Sequence, residues 1–204
     1  MNCFICISGL DGSGKTTQCK LLCEYLLQED PIYYIFGNIE DNKYVNRATI
    51  NYLKKTNLFL NNTQKHLIKS AFHMYFDIEQ LTHNKFYHDR IVIMDRYVET
   101  IYAHAQLYGL EPEIISDIFK DIYIRPDFYL FLDLDPEICY KRVLQRGKAV
   151  STHEELFNLI ELHELYKSTV KELGIKLIDA DRTPSEIHQS IVSHLKLNNT
   201  GELR

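Results

Sequence analysis

Short apolar runs alternate along the chain with longer segments in which apolar residues recur every three or four positions. Short runs rich in β-branched and aromatic residues favour strands, and the three-to-four spacing favours amphipathic helices. The predicted strands are NCFICISG (2–9), IYYIFG (32–37), RIVIMD (90–95), DFYLFLDL (127–134) and IKLIDA (175–180). The predicted helices are 14–29, 43–55, 62–86, 97–108, 111–122, 136–146, 153–173 and 184–197.

This alternation predicts an α/β fold. Strands that are apolar throughout are buried on both faces, so we expect one five-stranded parallel sheet with helices on both sides, in three layers. The chain has 204 residues, which is within reach of one domain. We therefore predict a single domain over 1–197, followed by a polar C-terminal tail over 198–204.

The amino-acid composition limits the binding partners and the cellular location that we expect for the protein. The net charge is −5, and this argues against binding of a nucleic-acid polymer, which normally needs a basic face. No segment reaches the roughly 20 apolar residues needed to span a membrane, and the first apolar run lacks the features of a signal peptide. An odd number of cysteines without a secretory signal predicts reduced thiols and a cytoplasmic location. We interpret all five as structural rather than zinc-binding: Cys3, Cys6, Cys19, Cys23 and Cys139.

The stretch GLDGSGKT, from Gly9 to Thr16, follows the first strand and opens the first helix. A glycine-rich loop in this context directs backbone N–H groups at phosphates, close to the positive end of the helix dipole. Lys15 is expected at the β- and γ-phosphates, and Thr16 is expected to ligate Mg²⁺. The predicted contacts of the nucleotide with this loop and its helix are Gly9, Gly12, Ser13, Gly14, Lys15, Thr16 and Thr17.

Further charged residues indicate what happens to the phosphate. Asp95 ends the third strand, where a carboxylate holds the metal or its water, although it could instead cap the next helix. Arg96 follows directly. Arg142 and Arg146 share a helix face and precede a glycine-containing loop, which suits a basic lid over about 142–154; the alternative is a solvated helix face. Arginines of this kind stabilise a phosphoryl group in transfer.

The class of nucleotide-binding protein can be narrowed further. A GTPase would need the base-reading pattern N-K-x-D, and both NKYV (42–45) and NKFY (84–87) fail at the last position. A motor or helicase would be larger and more basic. The sequence therefore favours a kinase that phosphorylates a small molecule.

At this point the chain resembles a known family. The stretches GLDGSGKTTQ, MDRY, RPDFYLFLDLDPE, RVLQRGK and LIDADRTPSEI occur in the order and at roughly the spacing of thymidylate kinases, over nearly the whole length. The resemblance implies a P-loop kinase fold with a helical lid, commonly a homodimer. It also implies ATP and Mg²⁺ as cofactors and a small nucleotide acceptor, with dTMP converted to dTDP.

The resemblance also implies roles for single residues. Lys15, Thr16 and Asp95 would serve ATP and its metal, and Asp11 would meet the sugar hydroxyl of the acceptor. Arg96 would grip the acceptor's phosphate. The lid would add Arg142 and Arg146, and Ala180 and Asp181 would border adenine. Gly12 stands where one branch of the family carries a loop arginine, so the basic catalytic residue here would come from the lid.

The resemblance to the family is weaker at the residues that would bind the acceptor. An arginine that contacts thymine is absent between Arg47 and Arg90, and alignment puts His73 in its place. The stretch FGNIEDNK lacks the family's arginine after the second strand, and His104 replaces an aromatic residue under the sugar. In the lid, AVSTHEE lacks a common Asp-Arg pair. The predicted acceptor contacts are Asp11, Phe36, Phe72, His73, Arg96, Tyr97 and His104.

These departures leave two alternatives open. One is a kinase of the same fold that acts on a different nucleotide or phosphorylated metabolite, since a changed hydrogen-bond donor changes what a site accepts. The other is a nucleotide-binding protein without catalysis. The intact Lys15, Thr16, Asp95 and Arg96 favour the enzyme.

Overall fold

A parallel sheet forms the centre of the molecule. The computed structural model describes residues 3–26, 32–35, 91–109, 113, 117 and 123–197. Its strands are β1 (Cys3–Gly9), β2 (Ile32–Ile35), β3 (Ile91–Asp95), β4 (Phe128–Asp133) and β5 (Lys176–Asp179). They form one sheet in the order β2-β3-β1-β4-β5, and every neighbouring pair is parallel. The predicted fold class is thereby confirmed.

Helices connect and cover these strands. Numbered in chain order over the described residues, they are α1 (Lys15–Leu26), α2 (Val98–Leu107), α3 (Pro136–Gln145), α4 (Leu156–Leu173) and α5 (Pro184–Leu197). The predicted helix 111–122 is described only at Glu113 and Asp117, both helical, and the predicted helices 43–55 and 62–86 lie outside the described residues. No helix within the described residues is both long and apolar enough to cross a bilayer.

The core explains why the central strands carry almost no polar residues. Every residue of β1 is buried, as is every residue of β3, because helices lie on both faces of the sheet. All five cysteines are free and at least partly buried, which agrees with their interpretation as small apolar side chains. Burial raises the pKa of Cys3 to about 12, so that thiol stays protonated at neutral pH.

One predicted helix begins later than its pattern suggests. A short 3₁₀ helix covers Thr152–Glu154, and α4 begins only at Leu156 because Glu155 is extended. The reason is local: Ser151 Oγ and the Ser151 backbone N–H both donate to the Glu154 carboxylate, at 2.6 and 3.0 Å. This capping box closes a separate turn before the long helix.

The sheet places chemically active residues at one edge. Parallel strands bring their carboxyl ends together, and Asp95 of β3 lies beside Ile7 of β1. Gly9, which ends β1, pairs with Leu132 of β4. Because β1 is central, its following loop lies between the ends of β3 and β4, which is where open α/β sheets bind ligands.

Candidate active site

The glycine loop is packed against α3. Gly12 has φ +93, and a Cβ atom built there would lie 2.3 Å from the Cys139 carbonyl oxygen. Real side chains do not make so close a contact with backbone. Position 12 therefore cannot carry an arginine in this structure. That the basic catalytic residue comes from the lid stays a prediction.

Two glycine substitutions should separate crowding from backbone strain. Gly14 has φ +99, but nothing lies within 4 Å of a Cβ built there. We expect Gly14→Ala to lower the free energy of unfolding by about 1–2 kcal/mol through strain alone. Gly12→Ala should lose roughly a further 1–3 kcal/mol through overpacking against Cys139. Urea denaturation of the nucleotide-free variants measures both; equal losses would contradict the close packing.

Lys15 begins α1 and is almost completely buried. Its ammonium donates to the Leu10 carbonyl at 2.7 Å and lies 3.9 Å from Asp11 Oδ1. Burial and the neighbouring Arg96 lower the pKa of Lys15 to about 8, against the opposing pull of Asp11 and Asp95. A cation this poorly solvated gains strongly from the arrival of a phosphate.

Thr16 and Asp95 form a second polar pair beside the loop. Thr16 Oγ1 donates to Asp95 Oδ2 at 2.6 Å, although the two residues are far apart in sequence. Asp95 Oδ1 is buried and has no hydrogen-bond partner among the described residues. A hydroxyl and a carboxylate with one buried, unsatisfied oxygen form a donor set that fits Mg²⁺, which prefers oxygen ligands.

Arg96 takes an uncommon backbone conformation that turns its side chain into the site. Its φ is +75, and its backbone N–H donates to the Ile7 carbonyl at 3.1 Å, which fixes the chain between β3 and β1. Nη2 donates to Asp11 Oδ1 at 2.5 Å, and Nη1 donates to the Tyr166 hydroxyl at 3.3 Å. Left-handed backbone in a residue other than glycine is strained, and such strain clusters at functional sites.

Asp11 is the carboxylate that both the buried Lys15 and the partly buried Arg96 contact. Burial would raise the pKa of Asp11, but Arg96, Lys15 and two histidines outweigh it and hold the pKa well below its usual range. The Asp11 carboxylate is therefore ionised throughout the physiological range. Arg96 correspondingly has a raised pKa, because Asp11 outweighs the effect of burial.

Stability should depend on pH through Asp11. A carboxylate whose pKa is lowered by folding contributes stability above its unfolded value of 3.8, and the contribution is lost as pH falls towards the folded value. We expect Asp11→Asn to lose about 2 kcal/mol of unfolding free energy at pH 7, and the gap to the wild type to narrow below about pH 4. Urea denaturation from pH 2.5 to 7 tests this, with the exposed Glu172→Gln as control. A gap independent of pH would contradict it.

The predicted lid arginines differ in position. Arg142 Nη1 donates to the Gly12 carbonyl at 3.4 Å, so this side chain reaches the glycine loop. Arg146 is 45% exposed and pairs with Glu154 at 3.2 Å, within the turn that follows α3. Glu154 is therefore shared between the capping box and Arg146. The structure brings Arg142 to the loop and leaves Arg146 beyond it.

Two histidines lie near Asp11. His153, in the 3₁₀ helix, has Nε2 3.9 Å from Asp11 Oδ2 and 3.2 Å from Ser151 Oγ. His104, on α2, is buried, and its ring centroid lies 5.7 Å from that of His153. The predicted acceptor residue His104 thus lies beside the site. His153 was not predicted, and its only sequence signal is the capping-box pattern of STHE.

The predicted adenine side lies at the end of β5. The Ala180 backbone N–H donates to the Asp133 carbonyl at 2.9 Å, and the Asp181 N–H donates to Asp179 Oδ1 at 3.0 Å. Gln18 Nε2 of α1 donates to the Pro184 carbonyl at 2.9 Å, which ties the loop's helix to the start of α5. Ala180 is buried and Asp181 exposed, so of the two Asp181 is the side chain open to a ligand.

Other predicted residues do not lie in the site or cannot be placed. Tyr97 is fully buried; its ring packs edge-on against Phe4 at 5.3 Å, and its hydroxyl accepts from the Ile124 N–H. This corrects the prediction that Tyr97 contacts an acceptor, because its side chain belongs to the core. Three predicted acceptor residues lie outside the described residues: Phe36, Phe72 and His73.

Comparison with known proteins adds independent information. The family model described as thymidylate kinase matches residues 7–191. A probable thymidylate kinase of Pyrobaculum aerophilum is 28% identical over 197 residues, covering 95% of this chain and 96% of the relative. A thymidylate kinase of Leptospira borgpetersenii is 30% identical over 195 residues, covering 91% and 89% respectively.

Proposed function

Since the chain belongs to the thymidylate kinase family, we propose that it transfers the γ-phosphoryl group of ATP to dTMP, giving ADP and dTDP. The family acts on small nucleotides with ATP as the donor, and the charged side chains around the glycine loop support this reaction.

The observation that carries the proposal is the convergence of two cations, the buried Lys15 and the partly buried Arg96, on one carboxylate. Asp11 Oδ1 lies 2.5 Å from Arg96 Nη2 and 3.9 Å from Lys15 Nζ. Lys15 belongs to a loop of the phosphate-binding type, and Arg96 belongs to the neighbouring strand end. Two phosphates bound to these cations would be neighbours, which a transfer between two anions requires and a simple hydrolytic switch does not.

In phosphoryl transfer, the main contribution of a protein is to position charged groups around the substrates. Lys15 would neutralise the β- and γ-phosphates, and Arg96 would orient the acceptor's phosphate oxygen in line with the γ-phosphorus. Arg142, already at the loop, and Arg146, after leaving Glu154, would balance the charge that spreads over the transferred group. The acceptor oxygen is already anionic, so a strong general base is not needed.

Mg²⁺ is part of the proposal. Thr16 and Asp95 would hold it, because their hydroxyl and carboxylate oxygens are adjacent and Asp95 Oδ1 lacks a partner among the described residues. Mg²⁺ held there would supply positive charge that offsets the negative charge of the phosphates. The chain's own contribution is to orient the two oxygens before the metal arrives.

Several finer points also belong to the proposal. We take residues 142–154 as the lid and 1–197 as one domain, and we expect a homodimer in the cytoplasm, as the family resemblance and the free cysteines suggest. Asp11 and His104 would face the acceptor's sugar, as would His153 from the lid side. Asp181 would border adenine.

The direct test is ADP release with ATP, Mg²⁺ and a panel of acceptors. We expect release with dTMP at least about tenfold faster than with dCMP, dGMP, dAMP, UMP or free thymidine. Identification of dTDP by chromatography completes the assay. Release with another acceptor but not with dTMP would overturn the proposed acceptor, and ATP binding without acceptor-stimulated release would overturn the reaction.

One observation supports a second candidate function, a kinase that acts on an acceptor other than dTMP. The acceptor side holds His104 and His153 beside Asp11, two side chains that can both donate and accept hydrogen bonds. Such groups could serve an acceptor other than dTMP, including one with an additional hydroxyl. The panel therefore includes dUMP beside UMP, because these two acceptors differ only in the 2′-hydroxyl.

A further inference from the structure

Glu99 is a buried carboxylate that the proposed reaction does not use. It lies in the first turn of α2 and is fully buried. Its Oε1 accepts from the Thr100 hydroxyl at 2.9 Å, from the Tyr97 N–H at 3.1 Å and from the Ser8 hydroxyl; its Oε2 accepts from the Tyr129 hydroxyl. A buried carboxylate is tolerated only when its oxygens are well satisfied, and these donors do so.

One of these hydrogen bonds, the one from Thr100, belongs to a series that reaches Arg96. The Thr100 hydroxyl, which donates to Glu99, accepts from the Tyr166 hydroxyl at 3.3 Å, and Tyr166 in turn accepts from Arg96 Nη1 at 3.3 Å. We call this series Arg96–Tyr166–Thr100–Glu99 the hydroxyl relay. It joins residues 96–100 to Tyr166 of α4, and its two ends are the buried carboxylate and the active-site guanidinium.

The direction of the hydroxyl relay is fixed by its carboxylate end. Each hydroxyl has one proton to donate, and the Glu99 carboxylate accepts from all four of its donors in this structure. Thr100 must therefore donate towards Glu99, and Tyr166 must donate towards Thr100. The Tyr166 oxygen is left with lone pairs for Arg96, so Arg96 Nη1 always meets an acceptor at this point.

The relay and Asp11 together hold the plane of the guanidinium. Asp11 binds Nη2 and Tyr166 binds Nη1, so two different nitrogens of Arg96 have fixed partners. A guanidinium carries five N–H donors, and those not engaged in these bonds are directed by the two that are. Positioning of this kind needs support from residues behind the group that binds the ligand.

We propose that Glu99 is a positioning residue, which acts through Thr100 and Tyr166 to orient the Arg96 guanidinium for the phosphate of the acceptor. The inference rests on the proposed function in one respect, namely that Arg96 binds the acceptor. The orientation of the guanidinium itself can be measured without a substrate.

The structure supplies a matched control. Tyr129 gives Glu99 a hydrogen bond, as Thr100 does, but Tyr129 lies on β4 and is not in the hydroxyl relay. Thr100→Val interrupts the relay, whereas Tyr129→Phe removes a buried hydroxyl and leaves the relay intact. Glu99→Gln replaces an acceptor-only group by one that also donates, so the direction of the relay is no longer fixed.

Kinetics are the first measurement. We expect Glu99→Gln and Thr100→Val to raise KM for dTMP about five- to tenfold, with KM for ATP within about twofold and a smaller fall in kcat. Tyr129→Phe should leave KM for dTMP unchanged, whatever its melting temperature. A purely structural Glu99 would lower the melting temperature in all three variants with no selective change in KM for dTMP, and that result would overturn the inference.

Rotation of the Arg96 guanidinium about its Cζ–Nε bond, followed by NMR of the nucleotide-free protein, is the second measurement. We expect exchange of the Nη groups to be several-fold faster in Glu99→Gln and Thr100→Val than in the wild type and Tyr129→Phe. Unchanged exchange in Thr100→Val would overturn the inference even if Glu99→Gln fails to fold. A wild type without dTMP phosphorylation would overturn the proposed function, and the exchange rates would still decide the role of Glu99.

Discussion

Lys15→Met should reduce kcat by about a thousandfold or more and leave a protein that is folded and more stable than the wild type. The loss of rate follows because the ammonium would neutralise the phosphates between which the bond breaks. The gain in stability follows from burial: Lys15 is only 6% exposed, and its pKa is lowered to about 8 because the charged form is poorly solvated. We expect a melting temperature about 2–4 °C higher without nucleotide.

The control for this variant lies on the same helix. Lys20 of α1 is exposed, so Lys20→Met should change neither kcat nor the melting temperature appreciably. ATP should raise the melting temperature of the wild type and of Lys20→Met but not that of Lys15→Met. Thermal denaturation with and without ATP, together with the coupled assay for ADP, distinguishes these cases. An active, ATP-saturable Lys15→Met protein would exclude the assigned role.

Arg96→Ala should lower kcat/KM for dTMP by about a thousandfold while ATP still binds, because Arg96 would hold the acceptor and not the donor. The same change should destabilise the fold, since Asp11 would lose its 2.5 Å partner and remain largely buried. Titration of ATP by calorimetry and steady-state kinetics with dTMP measure the two effects separately. Arg125→Ala, which removes an exposed arginine, serves as control.

Glycine at the same position provides a second comparison. Arg96 has φ +75, a conformation that an alanine would also find strained and a glycine would not. Arg96→Gly should therefore be as inactive as Arg96→Ala but more stable by about 1 kcal/mol in urea denaturation. Equal stability of the two variants would show that the backbone of residue 96 does not need its positive φ.

The strands could be predicted from the sequence because their signal is local. Each observed strand falls inside its predicted run. For β1, β3 and β4 the reason is that a strand buried on both faces needs a continuous apolar segment. The start of α4 could not be predicted in the same way. The apolar spacing extends back to residue 153, but the hydrogen bonds of Ser151 and Glu154 form a separate turn there. The spacing of apolar residues carries no information on whether such side-chain hydrogen bonds replace the first turn of a helix.

In the candidate site, too, features with a local sequence signal could be predicted and long-range contacts could not. The glycine loop and the Asp95–Arg96 pair carry local motifs, and their placement at the sheet edge follows from strand order. The hydrogen bond between Arg96 and Tyr166 joins residues 70 positions apart, and no sequence pattern near either residue predicts it. Tyr97 is next to Arg96 in sequence, but its side chain packs into the core against Phe4. Because Arg96 has a positive φ, the alternation of side chains along an extended strand could not be used to place Tyr97.

The close packing of Gly12 on Cys139 has a mechanical consequence. The first half of α3 and the phosphate loop touch backbone to backbone, so this end of α3 behaves as part of the rigid base and cannot swing independently. Gly147, two residues beyond the end of α3, has φ +67, and nothing lies within 4 Å of a Cβ built there. A change of backbone direction near Gly147 would therefore move the turn between α3 and α4, including Glu154, whereas the backbone of Arg146 stays with α3.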